Sequence, residues 1–435
     1  NYNATKSKYI NEAPDTSPRI GPDILTDSNL LLNYDFGNRA TYDRAENLSK
    51  YSEDFTLNNI STGWRTDTSS YSRATLIANT GIDSPVGTNN ASRWQSGDQT
   101  NQELIYHILP TALTIGETYT ASCWIRRVES FGNVQFYLGD NVTLDVTSQV
   151  DAVPFGEWVR VSVTRTITGE NGSPVRNYIA VRPNGNVNGG DKTTIDIWGM
   201  NVNQGSTPGR YVKTYGTAIT ASTTVKNLAS SSVGYEKPGP GTISGPVFNS
   251  DGYFEFGQST TSGITGPFDY NDGSNQDFTV EAWVWGDNWN VNGDSYNGIM
   301  NRTDGTNNIF SVFINSSGEM ASWFFTSSGA ITPNTSSSDG DPALTLSTGT
   351  WNHCVWIHND GAGMEYYLNN SAASMYSNTN TRRKDNSNQT FTIGRWNQGS
   401  YELDGRIGQI RFYDRKLFAA EISRNFNATR GKYGV

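Results

Sequence analysis

The chain has 435 residues, a formal net charge of -10 and 17% charged residues, a length that allows roughly two to four domains. No stretch gathers the Lys and Arg that would neutralise a row of phosphates, and none holds a run of about 18 apolar residues, so nucleic acid and membrane insertion are set aside. Aromatics reach 12% with 44 Gly, and Asn, Ser and Thr crowd between the apolar runs, which describes many short strands joined by polar turns.

The opening phrase Asn1-Tyr2-Asn3-Ala4-Thr5-Lys6-Ser7-Lys8-Tyr9 recurs as Asn425-Phe426-Asn427-Ala428-Thr429-Arg430-Gly431-Lys432-Tyr433. Such a repeat is the mark of a unit in a tandem array. The expectation is that residues 1–22 hold the end of a preceding repeat, Asn1 to Lys8 being the tail of its last helix, followed by an extended linker from Asn11 to Pro22. Leu30-Leu31-Leu32 is too apolar for a linker, and a lone strand there needs a sheet to join; the C-terminal half supplies one.

Five runs alternate in the middle of the chain: Tyr119 to Ile125, Asn133 to Leu138, Trp158 to Ile167, Asn177 to Val181 and Thr193 to Val202. They predict a separate β-sandwich over residues 46–221. In the last third, the stretch from Asp277 puts Phe278, Val280, Ala282 and Val284 on one face of a strand and Thr279, Glu281, Trp283 and Trp285 on the other. The same period holds for Asn308 to Ile314, Met320 to Phe325, Trp351 to Ile357, Met364 to Leu368, Thr390 to Trp396 and Arg406 to Tyr413. Ile422 and Phe426, four apart, predict one short helix over Phe418 to Ala428. Cys123 and Cys354 each fall in a strand-like run and read as free, buried thiols, while His107, His353 and His358 make a poor metal inventory.

The phrase Gly405-Arg406-Ile407-Gly408-Gln409-Ile410-Arg411-Phe412-Tyr413-Asp414-Arg415-Lys416-Leu417, with the helix and the Asn425 phrase after it, resembles the laminin-G-like, concanavalin-A-like jelly rolls of tailed-phage virion proteins. So do Gly252 to Phe256, Phe278 to Val284, Trp351 to Val355 and Phe391 to Arg395. The segment opening at Asn47-Leu48-Ser49-Lys50-Tyr51 and closing at Thr207-Pro208-Gly209-Arg210-Tyr211-Val212 resembles the carbohydrate-binding-module-like sandwiches of phage structural proteins. The resemblance implies an all-β protein of two β-sandwich (jelly-roll) domains, the second inserted into the first, with one short C-terminal helix. Residues 23–45 and 222–435 would form the discontinuous jelly roll and residues 46–221 the insert.

Catalytic groups are hard to find. A glycosidase needs two carboxylates across a cleft, and in Glu402-Leu403-Asp404-Gly405-Arg406-Ile407 an Ile stands where the last Glu of a jelly-roll glycosidase strand would be. Glu281 reads as structural, and no Ser-His-Asp set is legible, so the chain is expected not to be an enzyme. Asn288, Asn290, Asn292 and Asp294 place oxygens at alternate positions around Gly293 in the manner of a weak calcium loop, without the closing Glu; a second acidic loop, Asp339 to Asp341, is less specific. No cofactor is required, and calcium is an open possibility.

Sugar binding asks for aromatic faces ringed by amides. Trp289 and Tyr296 share one Asn-rich loop, Trp396 and Tyr401 another, and Trp64, Trp94 and Tyr137 stand at strand ends of the insert. These seven are the glycan-binding candidates; Trp124, Trp158, Trp198, Trp283 and Trp285 read as packing residues. The expectation is a virion fibre or surface decoration, homo-oligomeric, contacting other virion proteins or copies of itself and adhering to host-surface polysaccharide. A purely structural virion protein and a bacterial surface adhesin or polysaccharide-active protein remain the alternatives.

Overall fold

The computed structural model describes residues 23–38, 40–42, 44–55, 64–66, 75–96, 105–129, 133–139, 148–150, 155–167, 177–185, 193–229, 240–249, 251–257, 262–268, 277–290, 296–303, 308–326, 329–331, 344–377, 389–396 and 401–435. The described residues form two compact units, 44–222 and 23–43 with 223–435. Both are built of antiparallel sheet, as the two-residue period predicts, and the one α-helix among the described residues lies near the C-terminus. That helix is too short to cross a membrane. The terminal phrase at residues 1–9 and the linker after it lie outside the described residues.

Residues 44–222 hold two five-stranded sheets. One has the order Trp64–Thr66, Ile105–Ile108, Tyr178–Gly185, Asn133–Gly139, Ser148–Val150; the other Thr75–Ile82, Ala91–Gln95, Thr194–Gln204, Thr118–Glu129, Val159–Thr166. Alternation sets the faces: Val161 and Val163 are buried while Ser162 and Thr164 are exposed, and the inward set meets Cys123, Ile125, Phe136 and Ile179 in one core. Burying each large apolar side chain contributes roughly 1.5–3 kcal/mol. Asp196, fully buried, binds three neighbouring strands together, with Arg93 Nε and Arg126 Nη2 both at 2.7 Å.

The other unit is a jelly roll of two eight-stranded sheets. The first has the order Val247–Asn249, Tyr253–Phe256, Gly405–Tyr413, Phe278–Trp285, Trp351–Asn359, Gly363–Leu368, Ser371–Ser377. Leu30–Asp35 also pairs with Gly405–Tyr413, from Tyr413 to Gln409, beyond the stretch from Ile407 to Gly405 that Tyr253–Phe256 takes. The apolarity of Leu30 to Leu32 is thus explained by a sheet that lies far away in sequence. The second sheet has the order Thr224–Val225, Gly241–Ser244, Gly263–Pro267, Thr390–Ile393, Tyr296–Thr303, Asn308–Asn315, Met320–Thr326, Gly329–Ile331. Phe278, Val280, Ala282 and Val284 all point into the core between the sheets, as predicted. Cys123 and Cys354 are free and buried, and burial pushes both thiols up.

The opposite face of the first sheet is closed by α1, Ala419–Thr429. Ile422, Asn425, Phe426 and Thr429 are its buried residues, spaced 3, 1 and 3 apart as one helical face requires. Glu421 fixes its start by accepting the Phe418 N–H at 2.9 Å and pairing with Arg415 at 2.7 Å. Beneath the helix, Glu281 accepts from His353 Nε2 at 2.7 Å and Asn425 Nδ2 at 2.8 Å, with Arg411 Nη1 at 3.3 Å. Burial alone would raise the Glu281 pKa, but Arg411 and His353 overcome it and hold the carboxyl below the usual range. The cluster therefore stabilises the fold above the ordinary Glu pKa and loses that contribution as pH falls through the depressed value. Glu281→Gln removes the strongest charge partner of buried Arg411 and is expected to lower jelly-roll stability by about 3 kcal/mol at neutral pH. Urea denaturation should show the gap from wild type narrowing as the pH is taken below about 4; a gap constant with pH would contradict the assignment.

Candidate functional site

In the Asn308–Asn315 strand, Phe310, Val312 and Ile314 enter the core, so Ser311 and Phe313 emerge on the opposite face of the second sheet. Register then builds rows across that face. Ser311 lies between Asn301 and Trp323, and Phe313 between Gly298 and Ala321. Against these rows pack Arg395, Trp396 and Tyr401, whose close approach depends on glycine: the Gly298 N–H donates to the Tyr401 carbonyl at 2.9 Å, and a Cβ at 298 would sit 2.7 Å from the Arg395 carbonyl carbon. Tyr401 itself takes φ of 61°, a left-handed conformation uncommon for a bulky residue.

The result is one aromatic cluster. Tyr296 meets Phe313, Trp323 and Tyr401 edge-on at centroid distances of 4.6, 4.9 and 5.0 Å, and Trp396 stacks on Tyr401 at 5.2 Å with planes 19° apart. Tyr296, Trp323, Trp396 and Tyr401 are all partly exposed, whereas Phe313 forms the buried floor. With Gly298, Met300, Asn301, Ser311, Val312 and Arg395 they line a shallow depression, open in part to solvent.

Its polar groups are few and specific. Trp396 Nε1 donates to Asn308 Oδ1 at 3.1 Å; Asn301 Nδ2 donates to Ser311 Oγ at 2.6 Å and the Phe310 carbonyl at 3.2 Å. Among the described residues the Trp323 indole N–H has no acceptor and Asn301 Oδ1 no donor, although both atoms are buried. A buried, unsatisfied donor and acceptor cost free energy that a ligand's own polar groups would recover. The lining has no carboxylate, so the depression is a stacking and hydrogen-bonding surface with no acid–base pair.

Three of the four aromatics predicted in the jelly roll thus come together, though from different arrangements than their loops suggest. Trp289 is corrected: only 4% exposed, it belongs to the core, its ring packed under Gly286 and Gly318. In the insert, Trp64 and Trp94 are completely buried in the core and offer no face to a ligand. Tyr137 is 1% exposed, its hydroxyl bonded to Gln135 and Arg182 lying over its ring. Phe313 and Trp323 were not singled out as site residues; the available signal was aromatics on the outward phase of two strands whose other phase is already apolar. Asn288 and Asn290 are exposed and bond to one another, the Asn290 N–H donating to Asn288 Oδ1 at 3.0 Å as an ordinary Asx turn. Asn292, Asp294 and the Asp339–Asp341 loop lie outside the described residues. Among the described residues no group of three or more His, Cys, Asp or Glu is placed to hold a metal. Ile407, the odd member of the glycosidase-like phrase, is fully buried in the core.

Residues 256–423, which include the whole aromatic cluster, match the model of the concanavalin A-like lectin/glucanases superfamily. The jelly roll has the concanavalin A-like fold. No curated protein matches the chain. Among solved structures, the binding domain of Paraclostridial Mosquitocidal Protein 1 is similar at 18% identity and a TM-score of 0.35, over 47% of this chain and 49% of that one. The chain thus spans about half of that structure's length. Domain 4 of AbnA, an extracellular arabinanase from Geobacillus stearothermophilus solved with arabinotriose, matches at 18% identity and a TM-score of 0.34, over 46% of this chain and 92% of that one. A Trypanosoma rangeli sialidase matches at 12% identity and a TM-score of 0.36, over 48% of this chain and 32% of that one. Sialidases standing among the similar structures correct the expectation that the chain is not an enzyme.

Gly298→Ala drives a methyl group into the backbone of Arg395, Trp396 and Tyr401. It is expected to cost about 1–3 kcal/mol and, by loosening their packing, to red-shift tryptophan emission; unchanged emission with unchanged stability would show that the approach at Gly298 does not position the cluster.

Proposed function

We propose that this chain binds carbohydrate through the depression formed by Tyr296, Trp323, Trp396 and Tyr401. The observation that carries the reading is four partly exposed aromatic side chains on one sheet face, beside a buried indole N–H and a buried amide oxygen that lack partners. Pyranose C–H faces stack on such rings, and sugar hydroxyl or acetamido groups supply both a donor and an acceptor. The depression is shallow and open in part to solvent, which favours contact with one face of a sugar in a longer glycan over an engulfed small molecule.

In the finer form of this proposal the glycan is a host-surface polysaccharide, and the protein is carried on a tailed-phage particle as a fibre or decoration, in contact with other virion proteins or copies of itself. The support for that setting is the resemblance of the Gly405 to Leu417 phrase and its neighbours to virion jelly rolls. Modest affinity at each site would then be raised by many copies acting together.

Calorimetric titration of the chain with envelope polysaccharide fragments, with and without calcium, tests the reading. Saturable binding is expected, with Trp396→Ala or Tyr401→Ala weakening it about tenfold, the equivalent of roughly 1.4 kcal/mol for one lost stacking face. Trp158→Ala, in the insert, should leave it unchanged. Absence of binding by folded protein in both conditions would overturn the proposal.

A further inference from the structure

The cover that α1 and the residues after it place on the outer face of the first sheet reaches Trp351, whose ring meets that of Tyr433 at 4.8 Å. From Trp351 outward, register sets a row across four strands: Trp351 lies opposite Trp285, Trp285 opposite Arg406, and Arg406 opposite Glu255. Cys354, Val284, Ile407 and Phe254, in the opposite phase of the same strands, enter the core, so the row faces outward. Its members are all at least partly exposed. Arg406 Cζ lies 5.1 Å from the centre of the Trp285 ring and 5.3 Å from that of Tyr253, both cation–π contacts. Trp351 closes the group, edge-on to Trp285 at 5.8 Å and to Tyr253 at 5.6 Å.

Held between two rings, Arg406 does not close on the carboxylates beside it. Glu255 Oε1 stands 3.6 Å from Arg406 Nε and Asp287 Oδ2 stands 3.8 Å from Nη2, beyond hydrogen-bond reach. By contrast, Arg93 and Arg126 close on Asp196 at 2.7 Å and Arg415 on Asp27 at 2.6 Å. The Glu255 and Asp287 side chains are 52% and 70% exposed, so both offer oxygens to solvent. Asp287 is further restrained, because its Oδ1 accepts the Trp285 indole N–H at 3.0 Å.

A guanidinium only donates and a carboxylate only accepts, whereas a hydroxyl does both. The two gaps around Arg406 therefore discriminate among ligands. An anion would meet two carboxylates, and a cation would meet Arg406. A hydroxyl accepts from Arg406 and donates to Glu255 or Asp287, taking the place a bridging water would hold. Neighbouring hydroxyls on one rigid ring address both gaps while the C–H face of that ring rests on Trp285 or Trp351.

We propose that Tyr253, Trp285, Trp351 and Arg406, with Glu255 and Asp287, form a second carbohydrate site, selective for uncharged sugars with adjacent hydroxyls. It lies on the sheet opposite the Trp323 depression and shares no residue with it. The two also differ in kind: the depression has no carboxylate in its lining, whereas here charged groups of both signs stand within reach of one ligand.

The test titrates the full chain carrying Trp396→Ala, which weakens the depression, with neutral oligosaccharides of glucose, galactose, mannose and arabinose taken to high millimolar concentration. Indole N–H resonances are followed by NMR. The Trp285 and Trp351 signals are expected to shift together and saturate, with glucuronate-containing and glucosamine-containing counterparts binding several-fold more weakly. Asp287→Ala, at a mostly exposed side chain, should weaken the neutral sugar about tenfold, as loss of one hydrogen bond to a charged group allows; unmoved core indoles of Trp94 and Trp356 in that variant report that it is folded. Trp285 and Trp351 signals that do not move, charged sugars binding as tightly as neutral ones, or unchanged affinity in folded Asp287→Ala would overturn the proposal. Shifts confined to Trp323 and Trp396 in the chain without Trp396→Ala would support the depression alone and overturn the second site.

Discussion

A carboxylate buried between a sheet and a helix must be compensated, and the compensation of Glu281 organises one side of the jelly roll. Arg411 comes from the adjacent strand on one side, His353 from the strand on the other, and Asn425 from α1. One charge thus fixes the register of three central strands and the seat of the helix that covers them. Because Asn425 also accepts the Leu25 N–H, the entry of the chain into its first strand is tied to the same group. Trp283, next along the strand on the same face, extends the contact to Phe426, Thr429 and Tyr433.

The second sheet answers the same constraint differently. Its inner face shares the core with the first sheet, and its outer face carries aromatics at Tyr296, Phe313 and Trp323. Trp396 and Tyr401 cover these in part, adding two more rings, and among the described residues four of the five rings are left partly open. An apolar surface with unsatisfied buried polar atoms is unfavourable in water unless something occupies it. The contrast between a face closed by its own chain and a face left partly open among the described residues is the physical basis for proposing ligand binding at the latter.

The strands were legible because alternation is local: Phe278 to Trp285 assigns both faces correctly from eight residues. So was α1, from the spacing of Ile422 and Phe426. The place of Leu30 to Leu32 could be inferred because an apolar triplet needs a sheet, though its register against Tyr413 to Gln409 is a tertiary fact. The site was only half legible. Trp289 and Tyr296 look equivalent in an Asn-rich stretch, yet Trp289 drops beneath Gly286 and Gly318, one of them 32 residues from the other, a relation no local pattern encodes. Trp64, Trp94 and Tyr137 were misplaced for the same reason, since aromatics at strand ends fill cores as readily as they face solvent. Trp323 was overlooked because strand aromatics read as packing, and only the neighbouring strands reveal that its side of the sheet faces away from the core.

The most direct test of the central claim follows the tryptophan indole N–H resonances of the folded chain by NMR during titration with a polysaccharide fragment that binds. The account predicts that the Trp323 and Trp396 signals shift together and saturate, the former most because its N–H gains a first acceptor, while those of core Trp94, Trp283 and Trp356 stay in place. Saturable binding that moves other indoles and leaves Trp323 and Trp396 unchanged would put the glycan elsewhere and contradict the account.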